Sequence, residues 1–218
     1  MTVLYENDHI AICEKPVGII SQSTSDRTGF ADMATEKFGY AAIINRLDTQ
    51  VGGAVLFAKN PKSASLLSEM ASDHTICKIY LAVVEGRPAE DRGVYEDLIF
   101  KDSRKNKSFV VQRMRKGVKK ASLEYEVIDT VQFNGKALTL VKIKLHTGRT
   151  HQIRVQFSSR KMPLSGDGKY GSKDNGCSVS LWSHSISLHV GKADISAVSV
   201  PPAETYPWNL FNKNHVNF

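Results

Sequence analysis

Leu138-Thr-Leu-Val-Lys-Ile-Lys-Leu-His-Thr-Gly-Arg-Thr-His-Gln-Ile-Arg-Val-Gln-Phe, residues 138–157, holds two structural periods in one run. Its first part alternates apolar and polar residues, as a half-buried antiparallel strand does. Thr147-Gly148 marks a turn. Beyond it Ile153 and Phe157 fall four apart, so a helix is expected to open near Thr150, carrying Arg149, His151 and Arg154. Leu123-Glu-Tyr-Glu-Val-Ile and Ser183-His-Ser-Ile-Ser-Leu-His-Val alternate in the same way. His9-Ile-Ala-Ile-Cys, Ala41-Ala-Ile-Ile, Ala54-Val-Leu-Phe-Ala and Ile79-Tyr-Leu-Ala-Val-Val are short apolar runs bounded by polar residues or glycine, and read as further strands. Helices are fewer. Asn60 is placed to cap one that starts at Pro61, with Leu66, Leu67, Met70 and Ala71 on one face. Another runs from about Phe30 to Phe38 and stops at Gly39. With no repeat, low-complexity tract or linker, residues 1–218 read as a single α+β domain around a mixed, largely antiparallel sheet with flanking helices and loops.

Composition narrows the classes. Hydrophobic residues make up 41% of the 218 and charged residues 23%, which excludes disordered, collagen-like and coiled-coil chains. No apolar run reaches the roughly 20 residues of a membrane span, and the N-terminus lacks the basic and apolar regions of a signal peptide. Three widely spaced cysteines, Cys13, Cys77 and Cys177, suit neither a disulfide framework nor a structural zinc site; packing is their expected role. A cytoplasmic protein is expected. Lys plus Arg is 29 against 22 Asp plus Glu, a formal net charge of +7, which favours a polyanionic partner. Nine of those cations lie between Lys101 and Lys120, against one acid, Asp102. The interleaved Phe109-Val-Val reads as a strand, which would hold the charges on an ordered surface able to track phosphates.

Two segments gather polar residues where strands should end. In Ile44-Asn-Arg-Leu-Asp-Thr-Gln-Val-Gly-Gly, residues 44–53, Arg46 and Asp48 are two apart and share a side of an extended chain, before a Gly52-Gly53 turn. Spacing alone favours the plainer reading, a strand-end aspartate capping a turn beside a surface arginine. In residues 145–156, Arg149, His151 and Arg154 crowd the start of a helix, more cation than a plain capped start requires.

Together these segments resemble the RluA family of RNA pseudouridine synthases. Asn45-Arg46-Leu47-Asp48 followed by Val51-Gly52-Gly53 is similar to the family's His-Arg-Leu-Asp and Thr-Ser-Gly motif. Thr147 through Val155 matches its Thr-Gly-Arg-(Thr/Ser)-His-Gln-(Ile/Leu)-Arg-Val motif. Lys15-Pro16-Val17-Gly18, Lys78-Ile79-Tyr80-Leu81-Ala82, and Gly166-Asp167 with Tyr170-Gly171 resemble three shorter signatures, all in the family's order. The departures are Asn45 for His, Val51-Gly52 for Thr-Ser, Gln156 for a His, and Trp182 near where relatives carry a His.

The resemblance implies the pseudouridine synthase fold and isomerisation of a uridine in structured RNA, transfer or ribosomal. Asp48 is implied as the nucleophile at the sugar's anomeric carbon, a task that suits a carboxylate. Arg154 is implied as the cation that keeps it ionised, and Tyr80 as the ring stacked on the target base. Without the family, Tyr80 would read as a core strand tyrosine. Arg46 is implied to fill the stack left by the flipped uridine, while Arg149 and His151 are expected on phosphates or shaping their loop. Arg113, Arg115 and Lys116 are the expected grip on RNA, because many relatives carry a small N-terminal RNA-binding domain and this chain begins at the first catalytic-domain strand. No metal or organic cofactor, no membrane and no obligate protein partner is expected, and a monomer is the expected state. The other classes weighed are an idle RNA-binding or chaperone protein on the same fold, and a glycosidic hydrolase, whose second carboxylate would have to be Asp167.

Overall fold

The computed structural model describes residues 1–216, and two compact units share them: Met1–Ile79 with Trp182–Pro201, and Tyr80–Leu181 with the segment from Pro202 onward.

In the first unit, β1 (Thr2–Glu6) and β2 (Ile10–Lys15) pair antiparallel, and β2 continues onto β4 (Gly52–Ala58). The two-residue β3 (Ala42–Ile43) also pairs with β4. β10 (Leu181–Val190) runs parallel to β4 through Trp182 and Ser183, opposite Gly52 and Gly53, and carries β11 (Ala193–Val198) antiparallel on its other edge. β4 is buried along its whole length, which is why its sequence is apolar without alternation. Ile10, Ile12, Leu56, Ile186, Leu188 and Leu67 form the core of this unit. α1 (Phe30–Phe38) has the expected limits and stops at Gly39, whose φ is +78°. α2 (Pro61–Ser72) has the expected cap, Asn60 Oδ1 accepting from Ser63 N at 2.9 Å. Its buried face differs from expectation: Leu66 is 44% exposed, and Ser63 and Leu67, one turn apart, point inward instead. Leu66 lies about 100° around the helix from Leu67, enough to leave a narrow buried stripe.

The second unit holds most of β5 (Cys77–Glu85), then β6 (Arg92–Asp102), β7 (Lys107–Val111), β8 (Val118–Phe133) and β9 (Lys136–Leu145), in the order β5-β9-β8-β6-β7. β8 and β9 turn at Asn134-Gly135, both with positive φ (49° and 74°), the hairpin turn this dipeptide favours. α3 (Gln152–Ser159) packs Val155 against Ile99 and Ala121, and Phe157 edge-on against Tyr95 and Tyr125. It starts two residues after Thr150 because His151 is left-handed, φ 54°. A short helix, α4 (Lys213–Val216), follows near the end. Among the described residues, mostly antiparallel strands, a parallel pairing and four α-helices make this an α+β chain, as the sequence led us to expect. No helix among them is long and apolar enough to cross a membrane.

Candidate active site

The Asp48 loop is built within the first unit. After β3 the chain leaves extended geometry, so Arg46 and Asp48 sit on a loop and not on the strand expected to deliver them. The loop is fixed at several points. Asn45 Oδ1 accepts from Leu56 N at 2.7 Å and its Nδ2 donates to Ala54 O at 3.4 Å. Ser21 Oγ accepts from Leu47 N at 2.9 Å and donates to Leu47 O at 2.7 Å, so one hydroxyl satisfies both backbone groups of a buried residue. Gly18 N donates to Thr49 O at 2.7 Å, and Val51 N to Asp48 O at 3.0 Å. With Leu47 turned inward, Asp48 is half-buried and Arg46 exposed, its Nη1 donating to Gln22 Oε1 at 3.0 Å. Lys15 lies fully buried in the same unit, its Nζ donating to the carbonyls of Pro16 (2.9 Å) and Ile19 (2.7 Å). Burial pushes that ammonium down to about 8, and the Asp48 carboxylate opposes the fall.

The departures from the family motif have a local cause. A Cβ on Gly52 would come 2.3 Å from Cζ3 of Trp182, the residue paired with it across the β4–β10 junction. Gly52 and Trp182 are therefore one steric choice: the indole occupies the volume a side chain at 52 would need. Trp182 Nε1 donates to Ser199 O and Oγ at 3.2 and 3.0 Å, which fixes the ring there. Gly53, at φ +111°, has no room for a Cβ either, with Ser183 O 2.2 Å from its position.

The motif of residues 147–155 belongs to the second unit. Gln152, buried at the start of α3, organises the turn before it: Oε1 accepts from Arg149 N (3.0 Å) and Thr147 Oγ1 (2.7 Å), and Nε2 donates to Ser122 O (3.0 Å). Arg149 Nε donates to Lys120 O at 3.0 Å, tying the turn to the basic hairpin. Arg154 is 5% exposed and forms a two-pronged pair with Asp167, Nε to Oδ2 at 2.7 Å and Nη2 to Oδ1 at 2.8 Å. Its guanidinium also lies 5.1 Å from the centre of the Tyr170 ring. The Tyr170 hydroxyl accepts from Ser108 N at 2.8 Å and meets His151 Nδ1 at 2.8 Å, and burial pushes its pKa up. Tyr80 is buried on β5.

Arg113, Arg115 and Lys116 are exposed on the β7–β8 connection, so the Lys101–Lys120 run is an ordered β6–β7–β8 surface as expected. Sequence reasoning named Arg46, Asp48, Tyr80, Arg149, His151 and Arg154. It missed the positioning done by Ser21, Gln152 and Tyr170, and read Lys15 as a motif letter only. The cysteines are unpaired, with Cys13 buried, which pushes its thiol up to about 11. Among the described residues no group of three or more His, Cys, Asp or Glu side chains converges as a metal site would.

Known proteins with the same features fall in one group. The family model described as RNA pseudouridylate synthase matches residues 9–159. An uncharacterized RNA pseudouridine synthase of Aquifex aeolicus is 32% identical over 189 residues, 80% of this chain and 57% of that protein. One from Zymomonas mobilis is 32% identical over 194 residues, 85% of this chain and 86% of its own. The ribosomal large subunit pseudouridine synthase D of Borreliella burgdorferi is 29% identical over 208 residues, 88% of this chain and 62% of that protein. The chain thus spans about three fifths of the length of the Aquifex and Borreliella relatives. Among solved structures, Human RNA Pseudouridylate Synthase Domain Containing 1 superposes with a TM-score of 0.78 at 21% identity, over 92% of this chain and 83% of that one, a likeness of fold. The chain belongs to the RNA pseudouridylate synthase family.

Proposed function

We propose that the chain is an RNA uridine isomerase, working as one catalytic domain over residues 1–218, that converts uridine to pseudouridine with Asp48 as its nucleophile. What carries the reading is Asp48 itself: a half-buried carboxylate, at the family motif, on a loop pinned through Gly18, Ser21 and Val51. Such pinning fixes the main chain that carries the attacking carboxylate, and positioning a reacting group lowers the barrier to displacement. In the proposed course an Asp48 oxygen bonds to the anomeric carbon of the sugar as the glycosidic nitrogen leaves with its electron pair. The released uracil turns, its carbon five bonds to the same sugar carbon, and the Asp48 ester bond breaks. The proton on carbon five is then lost and the ring nitrogen freed from the sugar takes one up, so that mass is conserved overall.

The family motifs assign Arg154 and Tyr80 to the same reaction in this reading, Arg154 as a cation and Tyr80 as the ring for the target base. Arg46 suits the space of a flipped nucleotide, and Arg149, His151, Arg113, Arg115 and Lys116 suit contact with phosphates. The Borreliella relative is named a ribosomal large subunit pseudouridine synthase, which makes ribosomal RNA the first substrate to try and transfer RNA the second. The hydrolase reading fares worse. Both oxygens of Asp167 accept from Arg154 in a fully buried pair, so that carboxylate is poorly placed to donate a proton to a leaving group. The test is nucleoside analysis of RNA incubated with the protein. Pseudouridine in the digest supports the isomerase, free uracil the hydrolase, and unchanged uridine in RNA that is tightly bound the idle binder.

A further inference from the structure

The basic β6–β7–β8 surface has two faces with opposite characters. On one, Ile99 and Ala121 pack on Val155 and Tyr170 with Val110 beside them. The alternate residues point the other way. There Phe100 of β6 lies directly opposite Phe109 of β7, and Leu98 opposite Val111. On the β8 side the same two residues oppose Val118 and Lys120. Phe109 is 37% exposed.

One exposed phenylalanine is ordinary. Here two rings are cross-strand neighbours, and the cations border them. The Arg115 guanidinium is 5.1 Å from the Phe100 ring centre; the Lys107 ammonium, 5.9 Å from that of Phe109, is held at the edge by Lys169 O and Tyr170. Arg113, Lys116 and Lys120 are exposed around them, with Met114 between the arginines. The nearest acid, Asp102, is engaged in its own turn, accepting from Arg104 N and Lys105 N at 3.0 and 3.1 Å. Farther along the same face stand Glu96 and Glu124, the latter opposite Lys144, so the cations that face a polyanion without a facing acid are at the end with the rings.

A flat aromatic surface rimmed by guanidinium and ammonium groups has two complementary needs, a π-face and negative charge. Unpaired nucleotides supply both; a duplex hides its base faces in its own stack. We propose that this face is a stacking platform for an unpaired RNA segment, with a base on Phe109 and the adjoining phosphates on Arg113, Arg115 and Lys120. The platform rests on the reading of the chain as an RNA enzyme. It extends that reading by requiring that the substrate offer unpaired nucleotides outside the target uridine.

The test is binding, by fluorescence anisotropy, of a labelled single-stranded RNA of about ten nucleotides and of a duplex of equal length. The proteins are wild type, Phe109→Ala, Phe109→Leu and Phe109→Tyr. Loss of one stacked base is expected to weaken single-strand binding about ten-fold in the Ala and Leu variants. The Tyr variant is expected to bind as wild type, which also shows that the site still folds, and duplex binding to stay unchanged in all. The platform is overturned if Phe109→Leu binds the single strand as wild type does, if both RNAs weaken together, or if wild type ignores the single strand. Pseudouridine formation by the same wild-type preparation separates the outcomes. Product with unaltered binding by Phe109→Ala removes the platform alone, whereas no product on any RNA removes the enzyme reading beneath it.

Discussion

Replacing Asp167 with asparagine should unfold the protein far more easily while changing scarcely any volume. Asp167 is fully buried, Arg154 is 5% exposed, and two charge-assisted hydrogen bonds of 2.7 and 2.8 Å join them. Asparagine keeps one acceptor but turns an NH₂ toward a guanidinium N–H, donor against donor, and removes a full negative charge from beside the buried cation. Removing one partner of such a pair costs about 3–5 kcal/mol, because the other charge stays buried. At about 2–4 °C per kcal/mol for a chain of this size, the melting temperature should fall by about 6–20 °C. Urea unfolding followed by tryptophan fluorescence measures it, with an unchanged slope expected, since the surface exposed on unfolding is the same. The double variant Arg154→Met with Asp167→Leu should lie closer to wild type in stability than either single change. It should nevertheless form no pseudouridine. A cost below about 1 kcal/mol for Asp167→Asn, or single effects that simply add, would refute the claim that this pair is what holds Arg154.

Lys15 gives a pH signature. Burial holds its folded pKa near 8, below the ordinary lysine value, so between pH 8 and about 10.5 the unfolded state binds the extra proton and stability rises with pH. Wild type should gain up to about 3 kcal/mol relative to Lys15→Met over that window; parallel pH–stability curves for the two would contradict it. The Gly52–Trp182 pairing predicts that Gly52→Ser costs about 1–3 kcal/mol in the native chain and much less in the Trp182→His background, by thermal melts of the four proteins. Equal costs in both backgrounds would mean that the indole is not what excludes the side chain. Neutralising Arg113, Arg115 and Lys116 together should raise KM and flatten its dependence on salt, by up to about 0.7 in log–log slope for each phosphate that is no longer neutralised; an unchanged slope would place the RNA elsewhere.

Local signals make α1 and α2 legible in the sequence. Asn60-Pro61 and Gly39 are caps whose chemistry acts within a few residues. β6 is not legible there. Five of its eleven residues are charged, and Asp97 points inward where Gln156 of α3 and Arg160 just past its end meet it at 2.8 Å, a partnership no local pattern contains. β1 is a short edge strand of mixed residues with no clear period, β11 alternates over only six residues, and Asn134-Gly135 is a turn signal outside the sequence expectations. The site divides the same way. Asp48, Tyr80 and Arg154 stand in motifs. The two-pronged grip of Asp167 on Arg154, the double hydrogen bond of Ser21 to Leu47, and the exclusion between Gly52 and a tryptophan far along the chain arise from tertiary contact. The start of α3 falls two residues beyond its expected place because the left-handed His151 leaves no trace in apolar spacing.

The central claim is that Asp48 carries out uridine isomerisation, and release of tritium from RNA labelled at uridine carbon five tests it most directly. Bond formation at that carbon expels the label into water, whereas binding and hydrolysis do not. Ribosomal and transfer RNA from cells lacking the gene, treated with wild type and with Asp48→Asn, provide the comparison. The account predicts release by wild type on at least one RNA, with pseudouridine in the digest, and none by Asp48→Asn although that variant still binds. Release that persists in Asp48→Asn would contradict the assigned nucleophile, and silence of the wild type on every RNA it binds would contradict the isomerase.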